Sequence, residues 1–521
     1  MSSPGFNKQD SCPDRRVSAW RILIIAVILL CSAALIFAVY YFNTKTNTIR
    51  SFRAASENGQ IRISWECSFS SGKVKDESTL RLTVSGKDVF FQTEPGTDQT
   101  EYCFTEGDHG ELYSFTLELF PRNSGKKYQR EAEALFLDYT QIPDLPIIMI
   151  KTDNGEEPTN RSVKAPNGYW GRGTVDNDYV KGELTVFENR QASDPLRMKF
   201  RVRGNTSATG KKKPYKIVLD SPADMLGRSS DYEDTDWILL NFTDLNFVVG
   251  QEVARICRME WQPCYKLVNL IVNGDWKGSY ILTESVKQGS ARVDVSQDGF
   301  IVENDAYWWN TDRLNFKTDR QFEKLRYTIH YPKSEGIGSE RIKQIRDFFV
   351  DVEKRVYDAD PDLEEYVDFQ SFASWLLTHD ILGNRDAAGS NMFLSKTDMK
   401  SSKLKIGPVW DYDMIFKTRR SWSHIHYMDY MYMRTLLKND SFRSVYCERF
   451  AKVSGTLPET VEGFLEELQA TSGESIQKSW ELNASRWGQE PGDFEQNRKA
   501  AVDWIYDQTE WIRDRINSGE F

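Results

Sequence analysis

Residues 368–416 read DFQSFASWLLTHDILGNRDAAGSNMFLSKTDMKSSKLKIGPVWDYDMIF, and the order of elements in this stretch decides how the rest of the chain is read. Phe369, Phe372, Ala373, Leu376 and Leu377 recur at helical spacing, and Gly383 stands where such a helix ends. A loop follows, with Asn384-Arg385-Asp386 and then Asn391 five residues after the aspartate. Asn391 leads into the apolar run Met392-Phe393-Leu394. A polar turn over Thr397 to Ser402 separates that run from Leu404, Ile406, Val409 and Trp410, which is the pattern of a hairpin. The second strand ends on Asp411-Tyr412-Asp413.

Upstream of this stretch the sequence is strand-rich. Short apolar or alternating runs stand at Ile147–Ile150, Gly182–Phe187, Met198–Val202, Lys216–Leu219, Trp237–Leu240, Val268–Val272, Gly278–Leu282 and Gly299–Val302. Helical spacing governs Ile342–Val356, Phe369–Leu382, Phe442–Val453, Val461–Leu482 and Phe494–Ile516. Strands first and helices afterwards predict an α+β domain, here over residues 143–521, opened by the loop Ile142-Pro143-Asp144-Leu145-Pro146. Before it, alternation at Ile61, Ile63, Trp65 and Cys67, at Leu80, Leu82 and Val84, and at Tyr113, Phe115, Leu117 and Leu119 predicts a small β-sandwich over residues 56–142. That module resembles an immunoglobulin or fibronectin type III domain, with Trp65 on an early strand. A Cys67–Cys103 bridge is left open, because Tyr102 and Phe104 flank Cys103 and alternation turns its sulfur from the face that Cys67 occupies.

From Ile22 to Phe42 the chain carries 21 residues without a charge, enough to cross a hydrocarbon core of ~30 Å as a helix. The run ends in Tyr40, Tyr41 and Phe42, which suit a membrane interface, and lacks a small-x-small cleavage site. The expected arrangement is a cytoplasmic tail over residues 1–21, one membrane helix over 22–42, a stalk over 43–55, and the bulk of the chain outside the cytoplasm. Lys8, Arg15, Arg16 and Arg21 precede the span, and Lys45, Arg50 and Arg53 follow it, so orientation rests on the single N-terminal position of the helix. In an oxidising space the five cysteines beyond it, an odd number, leave at least one unpaired. The net charge of −10 over 521 residues argues against a general nucleic-acid binder, and seven cysteines without a CxxC pair exclude a thiolate zinc site.

Helix, Asp-x4-Asn loop, hairpin and then Asp is the order in which a protein kinase presents its catalytic and metal-binding residues. Phosphoryl transfer requires hard oxygen ligands for Mg²⁺, which Asp411, Asp413 and Asn391 supply. It also requires a carboxylate near the attacking hydroxyl, which Asp386 supplies. From about Leu145 to Ile516 the chain resembles the spore coat protein H (CotH) family of atypical kinases. The resemblance rests on Arg203-Gly204-Asn205 with Lys212-Lys213-Pro214-Tyr215, Trp237 to Asn241 with Asp244, Val272-Asn273-Gly274 through Tyr280 to Glu284, Gly299 to Glu303, Asn384 to Asn391, and Trp410 to Asp413. It implies an atypical protein-kinase-like domain with ATP and Mg²⁺ as cofactors and Ser or Thr of a surface or coat protein as acceptor. It also implies Asp386 in the catalytic position, Asn391, Asp411 and Asp413 at the metal, and Arg203, Lys213 and Glu284 on the nucleotide, with Glu284 pairing the lysine. Two departures bear on nucleotide affinity. Thr206-Ser207-Ala208-Thr209 replaces the family's small residue and Trp, and Phe247, Val248 and Val249 stand where the family keeps an Arg. Gly168, Gly171 and Gly173 make only a loose substitute for a phosphate-binding glycine loop, and His424-x-His426 reads as packing among aromatic residues. The alternative function is a non-catalytic cell-surface binding protein built on the same domain.

Overall fold

The computed structural model describes residues 47–85, 90–92, 98–121, 125–165, 172–175, 178–321, 324–384, 386–387, 391–417 and 433–519. They fall into two units, one of residues 47–107 with 112–136, the other of 108–111 with 137–519. The run from Ile22 to Phe42 lies outside the described residues, as do His424, His426, Gly168 and Gly171. Among the described residues no helix is long and apolar enough to cross a membrane.

The first unit consists of β1 (Thr48–Glu57), β2 (Gln60–Ser68), β3 (Thr79–Val84), β4 (Phe90–Gln92), β5 (Glu101–Phe104), β6 (Leu112–Phe120) and β7 (Tyr128–Leu135). One sheet runs β1-β2-β5 and the other β4-β3-β6-β7. Alternation places Ile61, Ile63 and Trp65 of one sheet and Leu80, Leu82, Phe115 and Leu117 of the other in a single core. One expectation is corrected here, and the question of the Cys67–Cys103 bridge is answered. Residues 48–55 are strand rather than stalk, because β1 pairs along the length of β2 and buries Ile49. Cys67 and Cys103 are free thiols, with Cys103 on an exposed position of β5 opposite Arg62.

The second unit begins with the expected strand-rich half, and its strands close into a barrel of seven. Its members are β8 (Ile147–Thr152), β9 (Val180–Glu188), β10 (Leu196–Val202), β11 (Tyr215–Ala223), β12 (Asp234–Leu240), β13 (Tyr265–Val272) and β14 (Asp275–Glu284). Neighbours follow the order β8-β9-β10-β11-β12-β14-β13 and close back on β8, which pairs antiparallel with β9 and parallel with β13. Closure removes both open edges. The run Trp237-Ile238-Leu239-Leu240 is apolar throughout because it faces two cores. Trp237 and Leu239 fill the barrel, while Ile238 and Leu240 pack outward into the core of the following part.

That second core lies between helices and a five-stranded sheet. The sheet contains the two-residue strand Asn315–Phe316, β15 (Phe300–Asp305), β16 (Arg326–Tyr331), β17 (Met392–Lys396) and β18 (Lys405–Ile406). The helices are α1 (Asn246–Ile256), α2 (Ser339–Tyr357), α3 (Phe369–Leu382), α4 (Asp440–Val453), α5 (Leu457–Leu468), α6 (Glu474–Trp487) and α7 (Phe494–Ser518). Phe247, Val248 and Val249, read as the place of a missing Arg, are buried residues of α1. The long helix expected over Val461–Leu482 is divided by a π-helical turn at Gln469–Gly473.

Candidate active site

Helix α3 starts on Asp368, whose side chain accepts from the Ser371 N–H at 3.0 Å, and ends on Gly383 at φ 57°. The next residue, Asn384, is 1% exposed and ties the two acid-bearing segments together. Its Nδ2 donates to the Asp411 carbonyl at 2.9 Å, and its Oδ1 accepts from the Asp386 N–H at 3.0 Å. Asn391 turns the loop into β17 at φ 61°, a left-handed conformation that asparagine tolerates better than most residues, and its N–H donates to the Glu303 carboxylate on β15. The second strand, β18, ends at Ile406, short of the expected Asp411, and in the turn beyond it the N–H groups of Tyr412 and Asp413 donate to the Asp411 carboxylate, the latter at 3.2 Å. The Tyr412 ring points the other way, fully buried against α1.

Asp386, Asp411, Asp413 and Asp244 influence one another electrostatically. Burial first, and then Asp411, pushes the Asp386 carboxyl up to about 6, while the residue keeps an exposed edge. Asp413 is pushed up to about 7 by burial and then by Asp411, Asp386 and Asp244. Burial raises Asp411 as well, against the N–H of Asp413 and the Arg203 guanidinium, which lower it. Arg203 continues the β10 ladder through its N–H to the Pro214 carbonyl at 3.0 Å. Its guanidinium lies 5.4 Å from the Trp410 ring centroid and feels both Asp411 and Glu303. Glu303 in turn meets His330 Nε2 at 2.7 Å.

The structure therefore gathers Asp386, Asp411, Asp413 and Arg203, with Asn391 joined to them through Glu303. It does not bring Lys213 or Glu284 to the same place. Lys213 Nζ donates to the Ala208 carbonyl at 2.7 Å, within its own loop. Its neighbour Lys212 is the buried lysine: Nζ bonds the carbonyls of Ser279 and Asn241, and Asp244 is its acidic neighbour. Adjacent residues of an extended segment face opposite ways, so a reading that fixes on one of two consecutive lysines without knowing the face can choose the outer one. Glu284, 1% exposed, pairs with Arg228 at 2.8 Å and accepts from the Cys264 N–H at 2.8 Å. Its role is to hold the end of β14. Glu284→Ala, which strips a buried partner from Arg228, is expected to cost about 3 kcal/mol of stability. Mg²⁺-nucleotide affinity should stay unchanged in calorimetry on the folded variant, and its loss there would restore a nucleotide role. The residues that sequence reasoning passed over are Asn384 as the clamp, Lys212, and Lys417, whose ammonium lowers the carboxyls of Asp244 and Asp413. Only the polar Asn384 directly after the helix stop carried a signal of its own.

The donor set fits a hard divalent cation. Carboxylates held up by burial and mutual repulsion gain from one, and oxygen is the ligand type Mg²⁺ takes. Among the described residues no three His, Cys, Asp or Glu side chains form a ready-made cage. A helix, an Asp loop, an Asn and a hairpin followed by an Asp-bearing turn, arranged around one charged cluster, define a kinase-like domain. Residues 200–515 match the CotH kinase protein family, and the chain belongs to it. Comparison with curated proteins finds no match. Among solved structures, titin kinase and its flanking domains matches at 9% identity and a TM-score of 0.18, over 89% of this chain and 71% of that one, a likeness that carries no structural argument.

Proposed function

We propose that this chain is an atypical protein kinase that moves the γ-phosphoryl group of ATP, with Mg²⁺, to Ser or Thr of a surface or coat protein. The observation that carries the reading is the electrostatic gathering of Asp386, from the loop before the hairpin, with Asp411 and Asp413, from the turn after it, and with Arg203 beside them. Bound Mg²⁺ would be held by Asp411, Asp413 and the Asn391 amide, and would neutralise charge on the phosphates. Asp386, at the exposed edge, accepts the proton of the attacking hydroxyl as the new O–P bond forms and the bond to the departing ADP breaks with its electron pair. Arg203 offsets negative charge opposite Asp411, and Asn384 keeps Asp386 and Asp411 in register. The uncharged run from Ile22 to Phe42 supports a single-pass anchor with the bulk of the chain outside the cytoplasm, where the phosphate donor must then be supplied.

The test is calorimetric binding of ATP to the full chain with and without Mg²⁺, alongside phosphate incorporation. Asp386→Asn is expected to bind Mg²⁺-ATP no more weakly than the native chain and to lose about 10²–10⁴-fold in transfer, the usual share of a general base. A folded native chain that binds no ATP at any Mg²⁺ concentration would rule the reading out and leave a non-catalytic surface protein.

A further inference from the structure

The barrel strand that delivers Arg203 carries a second feature. Met198, Phe200 and Val202 of β10 fill the barrel, so Arg197, Lys199 and Arg201 alternate on its outer face, and Arg203 continues the series. The neighbouring strands repeat the charge instead of offsetting it. Lys181 on β9 is the register partner of Lys199, and Lys216 on β11 is the register partner of Arg201. Like charges directly opposite one another weaken a sheet. The acids nearby are already engaged: Asp153 and Glu183 hold Arg197 at 2.9 and 3.5 Å, and Asp236 holds Lys216 at 2.7 Å. Among the described residues Lys199 and Arg201 have no acidic partner. They flank the Tyr179 ring, 38% exposed, at 4.9 and 5.4 Å from its centroid. In a chain of net charge −10, cations set where they repel each other are placed for an anionic ligand.

We infer that this face, from Lys199 through Tyr179 and Arg201 to Arg203, is a docking strip for an acidic, extended segment of the polypeptide whose hydroxyl enters the site. The inference rests on the kinase reading for its acceptor and on charge complementarity for its partner. Four residues at a rise of about 3.3 Å set Lys199 about 13 Å from Arg203, so carboxylates about two and four residues from the accepting Ser or Thr would meet Arg201 and Lys199. Arg203 at the end of the strip already serves the cluster.

The experiment uses the full chain and three fluorescein-labelled peptides with one Ser each, flanked on both sides at alternate positions by Glu, Gln or Lys. Fluorescence anisotropy, which needs no turnover, is expected to show the Glu peptide binding tightest and weakening with salt. Lys199→Ala with Arg201→Ala should weaken it about tenfold, from two partly exposed ion pairs, leave the Gln peptide and Mg²⁺-ATP binding unchanged, and melt no lower than the native chain, since like-charge repulsion across the sheet is relieved. In turnover, KM for the Glu peptide should rise with kcat constant. Equal binding of the Glu and Gln peptides, or a double variant that binds the Glu peptide as the native chain does, would overturn the strip. Vesicles of phosphatidylserine or a single-stranded oligonucleotide that bind more tightly than the Glu peptide, and lose that binding in the same variant, would overturn the assignment to polypeptide. A native chain that binds the Glu peptide through these residues but no Mg²⁺-ATP would retain the strip and refute the kinase reading alone.

Discussion

Asp411→Asn is expected to abolish Mg²⁺-dependent nucleotide binding, and with it all phosphate transfer, in a protein that melts no lower than the native chain. The substitution keeps the shape of the side chain and an oxygen that can accept the N–H groups of Tyr412 and Asp413, so the turn persists. What it removes is one negative charge from a group that also holds Asp386, Asp413 and Asp244, and repulsion within that group falls. Stability is therefore unchanged or higher, while the cation loses its central ligand. Substituting a group that merely supports a ligand costs 10–100-fold in metal affinity, so loss of the ligand itself should exceed about 100-fold. The effect is larger than that of Asp386→Asn, which leaves nucleotide binding in place. Calorimetry across a Mg²⁺ series and a thermal unfolding curve check both halves, and a variant that still binds ATP in a Mg²⁺-dependent manner would move the metal away from Asp411.

Much of the fold can be read from local patterns, because alternation and helical spacing are properties of short windows. The helix ending at Gly383, the hairpin that follows it and the runs that became β8 to β15 are all of this kind. What escapes a window is partnership. Nothing local in Ile147–Thr152 says that it pairs antiparallel with one strand and parallel with another to close a barrel. Nothing local in Glu284 says that Arg228, 56 residues earlier, takes it instead of a lysine. The helix over Asn246–Ile256 was obscured for a related reason. Phe247, Val248 and Val249 stand where the resembled family keeps an Arg, and they are there to be buried. The aspartates of the site were legible as chemistry because their order along the chain follows the order of elements. Asn384 stands beside them in sequence, but its clamp across to the Asp411 carbonyl joins residues 27 positions apart and is a property of the fold.

Gly250→Ala is expected to destabilise the protein and to damage the site from behind, against the ordinary rule for helices. In a helix interior alanine is favoured over glycine by about 1 kcal/mol, so α1 taken alone should gain. The packing reverses the sign. A Cβ on Gly250 would stand 2.1 Å from Cδ1, 2.4 Å from Cε1 and 2.6 Å from Cγ of Tyr412, in the body of the ring and not at a flexible end. That ring is fully buried and meets Phe247 edge-on at 5.4 Å, so it has no free volume to move into. Overpacking of this kind costs about 1–3 kcal/mol, which outweighs the helix gain at its upper end. Tyr412 lies between Asp411 and Asp413, so whatever displaces the ring displaces both carboxylates. Mg²⁺-ATP affinity should therefore fall in a variant that is still folded at the temperature of measurement. Tyr412→Phe separates shape from polarity: the buried Tyr412 hydroxyl has no hydrogen-bond partner among the described residues, so its removal should change stability little and binding not at all. Tyr412→Leu should in turn recover part of the stability lost in Gly250→Ala, a coupling that a double-mutant cycle measures directly. Should Gly250→Ala raise the melting temperature, the close approach of α1 to Tyr412 would not be what fixes the Asp411 turn.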